Sequence, residues 1–529
     1  MLRVRWLGRV RYRDALALQH ALFEHSPDDH LLLLEHPHVF TLGVRADAAN
    51  VLVDPAAVGA ELVQADRGGD VTYHGPGQLV GYPILTVPGK RGGGMGDTVA
   101  YVRSVEQLLI DTLADLGLPG ASTLDGLPGV WMEDRKIAAI GVRLSRGRTM
   151  HGFALNVDPD LDYIGHIVPC GIRDKRVTSL SAEGLRVDMH TVVEALTARA
   201  VEHWGRAGAE RQDVVWREHR AEPLPLSGRL AESGVVDGLS ITSRKPDYVK
   251  ARLRITDDYV RIKRTMRDLS LVTVCEEAGC PNIFECWAAG TATFMLNGER
   301  CTRACGFCLV DTRHPLPVEP DEPERVAEAV ERMGLRFAVL TAVARDDLDD
   351  GGADGFARTV AAIRCRTPDV RVEVLIPDCK GDPDALKRIF SAGPDVVNHN
   401  IETVPRLQRV VRPSASYARS LAVLARAKAA GHVTKSGVIL GLGETEEEVV
   451  GAMADLRSVG VEIVTLGQYL RPTEHHLPVV RWWTPDEFRR LAAAGEALGL
   501  THVEASPLTR SSYHAAEAAA VSLREPALR

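Results

Sequence analysis

A chain of 529 residues, 45% hydrophobic and 25% charged, can bury more than one core, and two or three domains are expected. Its formal net charge of −8 argues against nucleic acid as the main partner, because phosphate binding needs concentrated positive charge. The opening MLRVRWLGRV has no apolar h-region and the longest purely aliphatic run is residues 31–34, so neither a secretory signal nor a membrane partner is expected.

The first half reads as a mixed sheet with flanking helices. Apolar spacing predicts amphipathic helices over 12–25 and 98–116, and another helix over 188–206. Residues 130–157 read as consecutive strands, VWME, KIAAIGVRL and MHGFALNV, the last two joined by an Arg-Gly-Arg turn. That is closer to α+β than to a repeating βα barrel. Two side chains here carry possible chemistry: Cys170, in Val-Pro-Cys-Gly, and Lys136, in Arg-Lys-Ile-Ala-Ala-Ile-Gly. An ammonium near a thiol stabilises the thiolate, the nucleophilic form, so the pair suits acyl transfer through a thioester. Each taken alone reads as ordinary, a core cysteine and a solvated lysine. The run Gly92-Gly-Gly-Met-Gly96 is a weak imitation of a phosphate loop and is read as a flexible loop.

Residues 221–243 are rich in Pro, Gly and Ser without a sustained period and are expected to be a linker. After residue 290 strands and helices alternate. Strands are predicted at 293–296, 337–343, 372–376, 396–400, 436–440 and 462–469, with helices between them such as 323–333 and 416–430. Six βα units suggest an incomplete TIM-type barrel, whose chemistry sits at the carboxyl ends of the strands. The loop 301–308 follows the first strand, Arg345-Asp346-Asp347 the second, and Asn398-His-Asn400-Ile-Glu402 the fourth.

Nine cysteines, an odd number and mostly clustered, fit a reducing compartment, and the cytoplasm is the expected location. Six of them form two triplets, Cys275-x4-Cys280-x5-Cys286 and Cys301-x3-Cys305-x2-Cys308. Neither supplies the four ligands zinc prefers. Three thiolates leave one iron of a [4Fe–4S] cube open to a substrate or an unusual ligand, which points to redox or radical chemistry. Cys365 and Cys379 match no motif and are read as structural.

The second triplet, following a first strand, resembles the signature of radical S-adenosylmethionine enzymes. Cys275-Glu-Glu-Ala-Gly-Cys280-Pro-Asn-Ile-Phe-Glu-Cys286-Trp287 upstream of it resembles lipoyl synthase. That resemblance runs over about residues 243–520 and includes Arg244-Lys-Pro246, Lys435-Ser-Gly437, Gly441-Leu-Gly-Glu444, Gly467-Gln-Tyr-Leu-Arg471-Pro and Arg510-Ser-Ser-Tyr513. It implies S-adenosyl-L-methionine and two [4Fe–4S] clusters: a radical-generating one on Cys301, Cys305 and Cys308, and an auxiliary one, the sulfur source, on Cys275, Cys280, Cys286 and a serine. Ser512 is assigned by position, with Ser511 as the alternative. Asn400, Glu402 and Arg471 are the candidate contacts to the cofactor. The chain departs from the family in Thr341-Ala342-Val343-Ala344-Arg345, where serine is expected at 342 and aspartate at 344. The loss bears on cofactor affinity more than on reaction type.

In the first half, Glu35-His-Pro37, Thr41-Leu-Gly43, Arg67-Gly-Gly-Asp-Val-Thr-Tyr-His74-Gly-Pro-Gly-Gln78 and His151-Gly-Phe-Ala-Leu-Asn156 resemble octanoyl-acyl carrier protein:protein octanoyltransferase, over about residues 1–220. The resemblance implies that Cys170 takes the octanoyl group while Lys136 activates the thiol. It places substrate walls at Arg67, Gly68, Gly69, Asp70, Val71, Thr72, Tyr73 and His74, at Ala139, Ile140 and Gly141, and at Gly152, Phe153 and Ala154. Lipoate and biotin ligases share this fold but activate a free acid with ATP and use no cysteine nucleophile.

The expectation is a two-domain α/β protein. An α+β biotin/lipoate-ligase-like acyltransferase domain spans 1–222, a linker 223–243, and a partial (β/α)6 TIM-type radical S-adenosylmethionine barrel 244–529. Its implied partners are octanoyl-acyl carrier protein, the lipoyl domains of 2-oxoacid dehydrogenase complexes, the glycine cleavage H protein, and a low-potential electron donor such as ferredoxin or flavodoxin. The alternative is an Fe–S carrier or scaffold, or another sulfur-inserting radical enzyme, fused to a lipoate-ligase-like domain. The basic stretch 244–267 is read as an ordinary charged segment rather than as a guide for the acidic carrier protein.

Overall fold

In the strand Asp29–Glu35 the four consecutive leucines, Leu31, Leu32, Leu33 and Leu34, are all buried. A continuous apolar run of this kind belongs to a central strand covered on both faces. The computed structural model describes residues 1–87, 96–168, 176–216, 226–235, 238–250, 257–273, 280, 282–288 and 291–523. The chain divides into two units, Met1–Glu218 and His219–Arg529.

In the first unit a mixed sheet runs in the order Ala209–Arg211, Leu2–Arg9, Asp29–Glu35, Gln78–Ile84, Arg148–Asn156, Arg135–Ser145, Leu127–Met132, Ala121–Leu124, with Arg176–Val177 pairing beside Arg135–Ser145. Leu31 and Leu33 share a core with Val105, Leu108 and Leu109 of helix Thr98–Asp115 and with Val192, Val193 and Leu196 of helix Met189–Trp204. Both helices start where an aspartate accepts a backbone N–H, Asp97 from Ala100 and Asp188 from Thr191. The Arg-Gly-Arg turn is a two-residue hairpin: Ser145 pairs with Arg148, and Arg146 and Gly147 both have positive φ, 52° and 74°. That geometry matches the twist of the flanking strands. A separate small sheet, Glu61–Gln64, Val39–Leu42 and Val71–His74, carries the end of the Arg67–His74 motif.

The second unit is built on parallel strands paired in sequence order: Thr291–Leu296, Phe337–Ala342, Arg371–Leu375, Val396–Asn398, Val433–Leu440, Ile463–Gln468 and His502–Ser506. The six expected strands are present, and a seventh, His502–Ser506, extends the sheet. HVEAS is short, and of its five residues only Val503 is buried, so it offers no apolar pattern to read. The first and last strands do not pair with each other, so the barrel is partial.

The described part of the expected linker 223–243 carries regular structure. Residues Leu226–Glu232 form a helix, Leu230 and Val235 are buried, Arg406 donates to the Ser233 carbonyl, and Leu239 N donates to Val479 O at 2.7 Å. Two buried apolar residues and two hydrogen bonds hold this stretch in spite of the Pro, Gly and Ser around them. Among the described residues no helix is long and apolar enough to cross a membrane.

Val372 and Val374 of the third barrel strand join the core beneath the outer helices. Alternation therefore turns Glu373 into the barrel interior. There its carboxylate meets Lys435 Nζ at 3.1 Å and accepts from Asn398 Nδ2 at 2.8 Å, and both charged side chains are 1% exposed. Replacing Lys435 with Met leaves the Glu373 charge buried without its cation. Chemical denaturation should show a loss of ~3–5 kcal/mol, largely restored by adding Glu373→Gln; an unchanged midpoint for the single variant would contradict the pairing.

Candidate functional site

In the first unit the expected walls close around two adjoining cavities. The larger, about 470 Å3 of space open to solvent, is lined by Arg67, Gly68, Gly69, Asp70, Thr72 and His74, by Ala139, Ile140 and Gly141, and by Gly152, Phe153 and Ala154. The smaller, about 400 Å3, is lined by Lys136 and Tyr73 among others, and shares Thr72, Ala139 and Ala154 with the first. Val71 is the exception: it is buried in a core with Phe40 and Ile164 and lines neither cavity. Cys170 lies outside the described residues, as do positions 92–95 of the glycine run.

Lys136 is not the solvated lysine its sequence suggests. It is 8% exposed, and its ammonium sits 4.6 Å from the Trp131 ring centroid. A buried relay leads to its backbone. His74 Nδ1 donates to Gln78 Oε1 at 2.8 Å, Gln78 Nε2 to Asn156 Oδ1 at 2.9 Å, Asn156 Nδ2 to Thr178 O at 2.9 Å, and Thr178 N to Lys136 O at 2.9 Å. Beside His74, His36 Nδ1 donates to Val10 O at 2.7 Å, so its Nε2 accepts from Tyr82 OH at 2.7 Å. Glu35 accepts the Gly77 N–H at 2.7 Å, so the first two residues of the Glu-His-Pro motif both have hydrogen-bond partners. Arg67 spans the cavity wall, donating from Nη2 to Thr41 O and Oγ1, each at 2.7 Å. Burial pushes His74 well below its ordinary value and His36 down to about 4. Tyr12 and Tyr82 also line the larger cavity. Sequence reasoning missed them because a tyrosine at a helical or strand core position carries no signal of its own.

In the second unit, Cys301, Cys305 and Cys308 sit on a loop with little regular structure, positioned by backbone and ionic bonds. Cys301 N donates to Asp311 O at 2.8 Å, Thr302 N to Ala344 O at 2.9 Å, and Gly306 N to Val411 O at 2.9 Å. Arg303 donates to both oxygens of Asp346, at 2.7 and 2.8 Å, and to Asp378 at 2.6 Å. The expected loss at position 344 does not loosen this loop, because Thr302 uses the Ala344 carbonyl. Arg412 and Glu402 lie close enough to Cys305 to act on its ionisation, though burial is the main cause of its raised pKa. Burial likewise pushes the Cys308 and Cys286 thiols up to about 12.

Cys275 lies outside the described residues, but Cys280 and Cys286 face the serine loop. Asn282 Nδ2 donates to Leu508 O at 2.6 Å, Tyr513 OH to Glu285 Oε1 at 3.2 Å, and the Cys280 thiol acts on the ionisation of Arg510. Close approach of the loop needs Gly467, since a Cβ there would lie 2.0 Å from Thr509 O. Ser511 Oγ accepts from Asn400 Nδ2 at 2.6 Å, and the same nitrogen donates to Glu402 Oε1 at 3.0 Å. Arg471 instead holds its own loop, donating to Thr473 O at 3.0 Å and Glu474 O at 2.5 Å. Gly441-Leu-Gly443 serves a structural purpose: Glu444 is buried and accepts from Leu442 N at 2.9 Å and Trp483 Nε1 at 2.7 Å.

The residues present fit iron–sulfur ligation: five of the six triplet cysteines are described, and all five are half-buried. No three His, Cys, Asp or Glu among the described residues converge on a single metal ion. A cube attaches its cysteines to different irons and asks for wider spacing than one ion does.

The buried imidazoles predict a pH response. The folded state keeps His36 neutral down to about pH 4, while an unfolded chain takes up the proton near 6.5. The stability this contributes is fully present above pH 6.5 and is lost as the pH falls toward 4. His399 in the second unit, also lowered to about 4 by burial, acts the same way. Denaturation midpoints measured at pH 7.5, 6 and 5 should fall in that order; a flat profile would contradict neutral burial.

Residues 11–200 match the lipoyl protein ligase A/B catalytic domain, 228–280 the N-terminal domain of lipoyl synthase, and 297–456 the radical SAM superfamily. The lipoyl synthase of Rubrobacter xylanophilus is 58% identical over 275 residues, which is 52% of this chain and 86% of that one. The lipoyl synthase of Mycobacterium tuberculosis is 52% identical over 287 residues, covering 54% of this chain and 92% of its own. A bi-partite lipoate protein ligase of Thermoplasma acidophilum is 19% identical and covers 41% of this chain and 87% of that one, but its TM-score of 0.34 is too low to carry an argument. S-adenosylmethionine and [4Fe–4S] chemistry therefore belong to the second unit. The chain belongs to the lipoyl synthase family through that unit, and the lipoyl protein ligase A/B catalytic domain ahead of it makes it a bifunctional enzyme of protein lipoylation.

Proposed function

We propose that the first unit transfers octanoate from octanoyl-acyl carrier protein to a lysine of a lipoyl domain. The Cys170 thiolate attacks the carrier thioester, the carrier thiol leaves with a proton, and an enzyme thioester remains. The lysine amine then displaces Cys170, forming the amide, with Lys136 placed to accept and return the proton. The observation that carries this reading is Lys136, buried in the lining of one of two adjoining cavities that share Thr72, Ala139 and Ala154. A ligase would use ATP and no cysteine, and Val-Pro-Cys170-Gly favours transfer.

The second unit acts on the octanoyl arm at C6 and C8. When bound, a cluster on Cys301, Cys305 and Cys308 with S-adenosylmethionine supplies hydrogen-atom abstraction, and an auxiliary cluster on Cys275, Cys280, Cys286 and Ser512 supplies sulfur. Arg303 holds the first loop at the strand ends, and Asn400, Glu402 and Arg412 furnish a polar rim. The acceptors are lipoyl domains of 2-oxoacid dehydrogenase complexes and the glycine cleavage H protein, and electrons come from a low-potential donor such as ferredoxin or flavodoxin. The cytoplasm keeps the required thiols reduced.

Intact mass of a lipoyl domain, incubated anaerobically with loaded enzyme, octanoyl-carrier, reductant and S-adenosylmethionine, tests both steps. Without S-adenosylmethionine the domain should stop at the octanoyl mass. Cys170→Ala should abolish octanoylation yet still convert a domain octanoylated beforehand; ATP-dependent transfer by that variant would replace this reading with a ligase. Iron should number about eight per chain and fall to about four when Cys275, Cys280 and Cys286 are all replaced by Ala.

A further inference from the structure

Asn400 lies two residues past the fourth barrel strand, Val396–Asn398, and is 8% exposed. Its carboxamide nitrogen has two hydrogens and both are used, one toward Glu402 Oε1 at 3.0 Å and one toward Ser511 Oγ at 2.6 Å. The opposite orientation would set its oxygen against the Glu402 carboxylate, so the assignment follows from the partners. The backbone is held too: Arg412 Nη1 donates to Asn400 O at 2.8 Å and Ile401 O at 3.2 Å.

From the other side, the loop 510–513 is tied mainly to the upstream cysteine segment and to itself. Tyr513 bonds Glu285, Arg510 Nη1 donates to Thr509 O at 2.6 Å, and Tyr513 N donates to Arg510 O at 2.9 Å. Among the described residues, the bond to Ser511 is the only side-chain hydrogen bond from the barrel rim to residues 510–513. One amino group thus serves a carboxylate on the radical side and a hydroxyl on the auxiliary side, and one side-chain rotamer sets both bonds.

We propose that Asn400 is a positioning residue that ties the loop carrying Ser511 and Ser512 to Glu402, so that engagement of the barrel rim by S-adenosylmethionine and ordering of the serine loop are coupled. A shift of Glu402 toward a ligand turns the carboxamide, and the turn is felt at Ser511. The coupling is reciprocal, since each site biases the same rotamer. This inference rests on the proposed reading of the loop as part of the auxiliary site.

Hydrogen exchange on the iron-loaded full chain, without reductant, tests it. In the unmodified protein, S-adenosylmethionine should change exchange of the amides 507–513. Asn400→Ala should speed their exchange about tenfold, as expected for loss of a buried hydrogen bond, and erase the response to S-adenosylmethionine. Ser511→Ala leaves the rim intact and should reproduce both effects, and the double variant should add nothing. Exchange in helix Glu322–Met333, which has no part in the link, should stay unchanged in all three. If either single variant keeps the exchange rate and the ligand response of the unmodified protein, the strut is wrong. Should Asn400→Ala fail to fold, Ser511→Ala decides alone. Iron content separates the two levels: an iron count of one cluster per chain sinks the auxiliary-site reading, whereas the link between Asn400 and Ser511 is read from exchange of the ligand-free protein.

Discussion

Arg303 is the fastening on which the second unit's chemistry depends. The cysteine loop has no regular structure to hold it, so its place over the strand ends must come from specific bonds. A guanidinium suits the task because its fork meets a carboxylate with two parallel bonds. Here Nε and Nη2 grip Asp346 after the second strand, and Nη2 also reaches Asp378 after the third. Asp378 is fully buried, and Arg419 stands 3.6 Å from its other oxygen. Removing one charge from such a set leaves the rest uncompensated, so the loss of any member is costly. Three cysteines are thereby presented from a frame that stays in place.

The two units solve their electrostatics in opposite ways. The first runs a chain of neutral donors and acceptors from His74 to Thr178 beside its cavities, with burial keeping the imidazoles uncharged, and the charged groups of the linings are Arg67, Asp70 and Lys136. The second surrounds its rim with paired charges, Arg303 with Asp346 and Asp378, and Arg345 with Asp347 at 2.8 Å. Such a surface suits a zwitterionic cofactor and negatively charged clusters.

Chemistry that is local in sequence was legible there. The triplets, the strand-end positions of Arg345-Asp346-Asp347 and Asn398–Glu402, and the wall 67–74 all show in short spacings, because one loop or strand supplies them. The helices Tyr12–His25, Thr98–Asp115 and Met189–Trp204 were readable from apolar period. What escaped depends on distant partners. Asn400 and Ser511 are 111 residues apart, and no local pattern announces their bond. The seventh strand failed for want of apolar residues, and the helix Leu226–Glu232 escaped because the two buried residues of that stretch, Leu230 and Val235, hide among Pro, Gly and Ser. Val71 was swept into the wall by its motif, although its side chain is spent on a core with Phe40 and Ile164.

Thr302 grips the chain at position 344 through a carbonyl oxygen, which every amino acid supplies alike. The side chain there is thereby released from any duty toward the cysteines. An alanine can occupy that site without disturbing the frame, and so could residues of other size or polarity. The rim can therefore drift in character beside a fixed iron-binding loop, and tolerance at one position is the counterpart of rigidity at its neighbour.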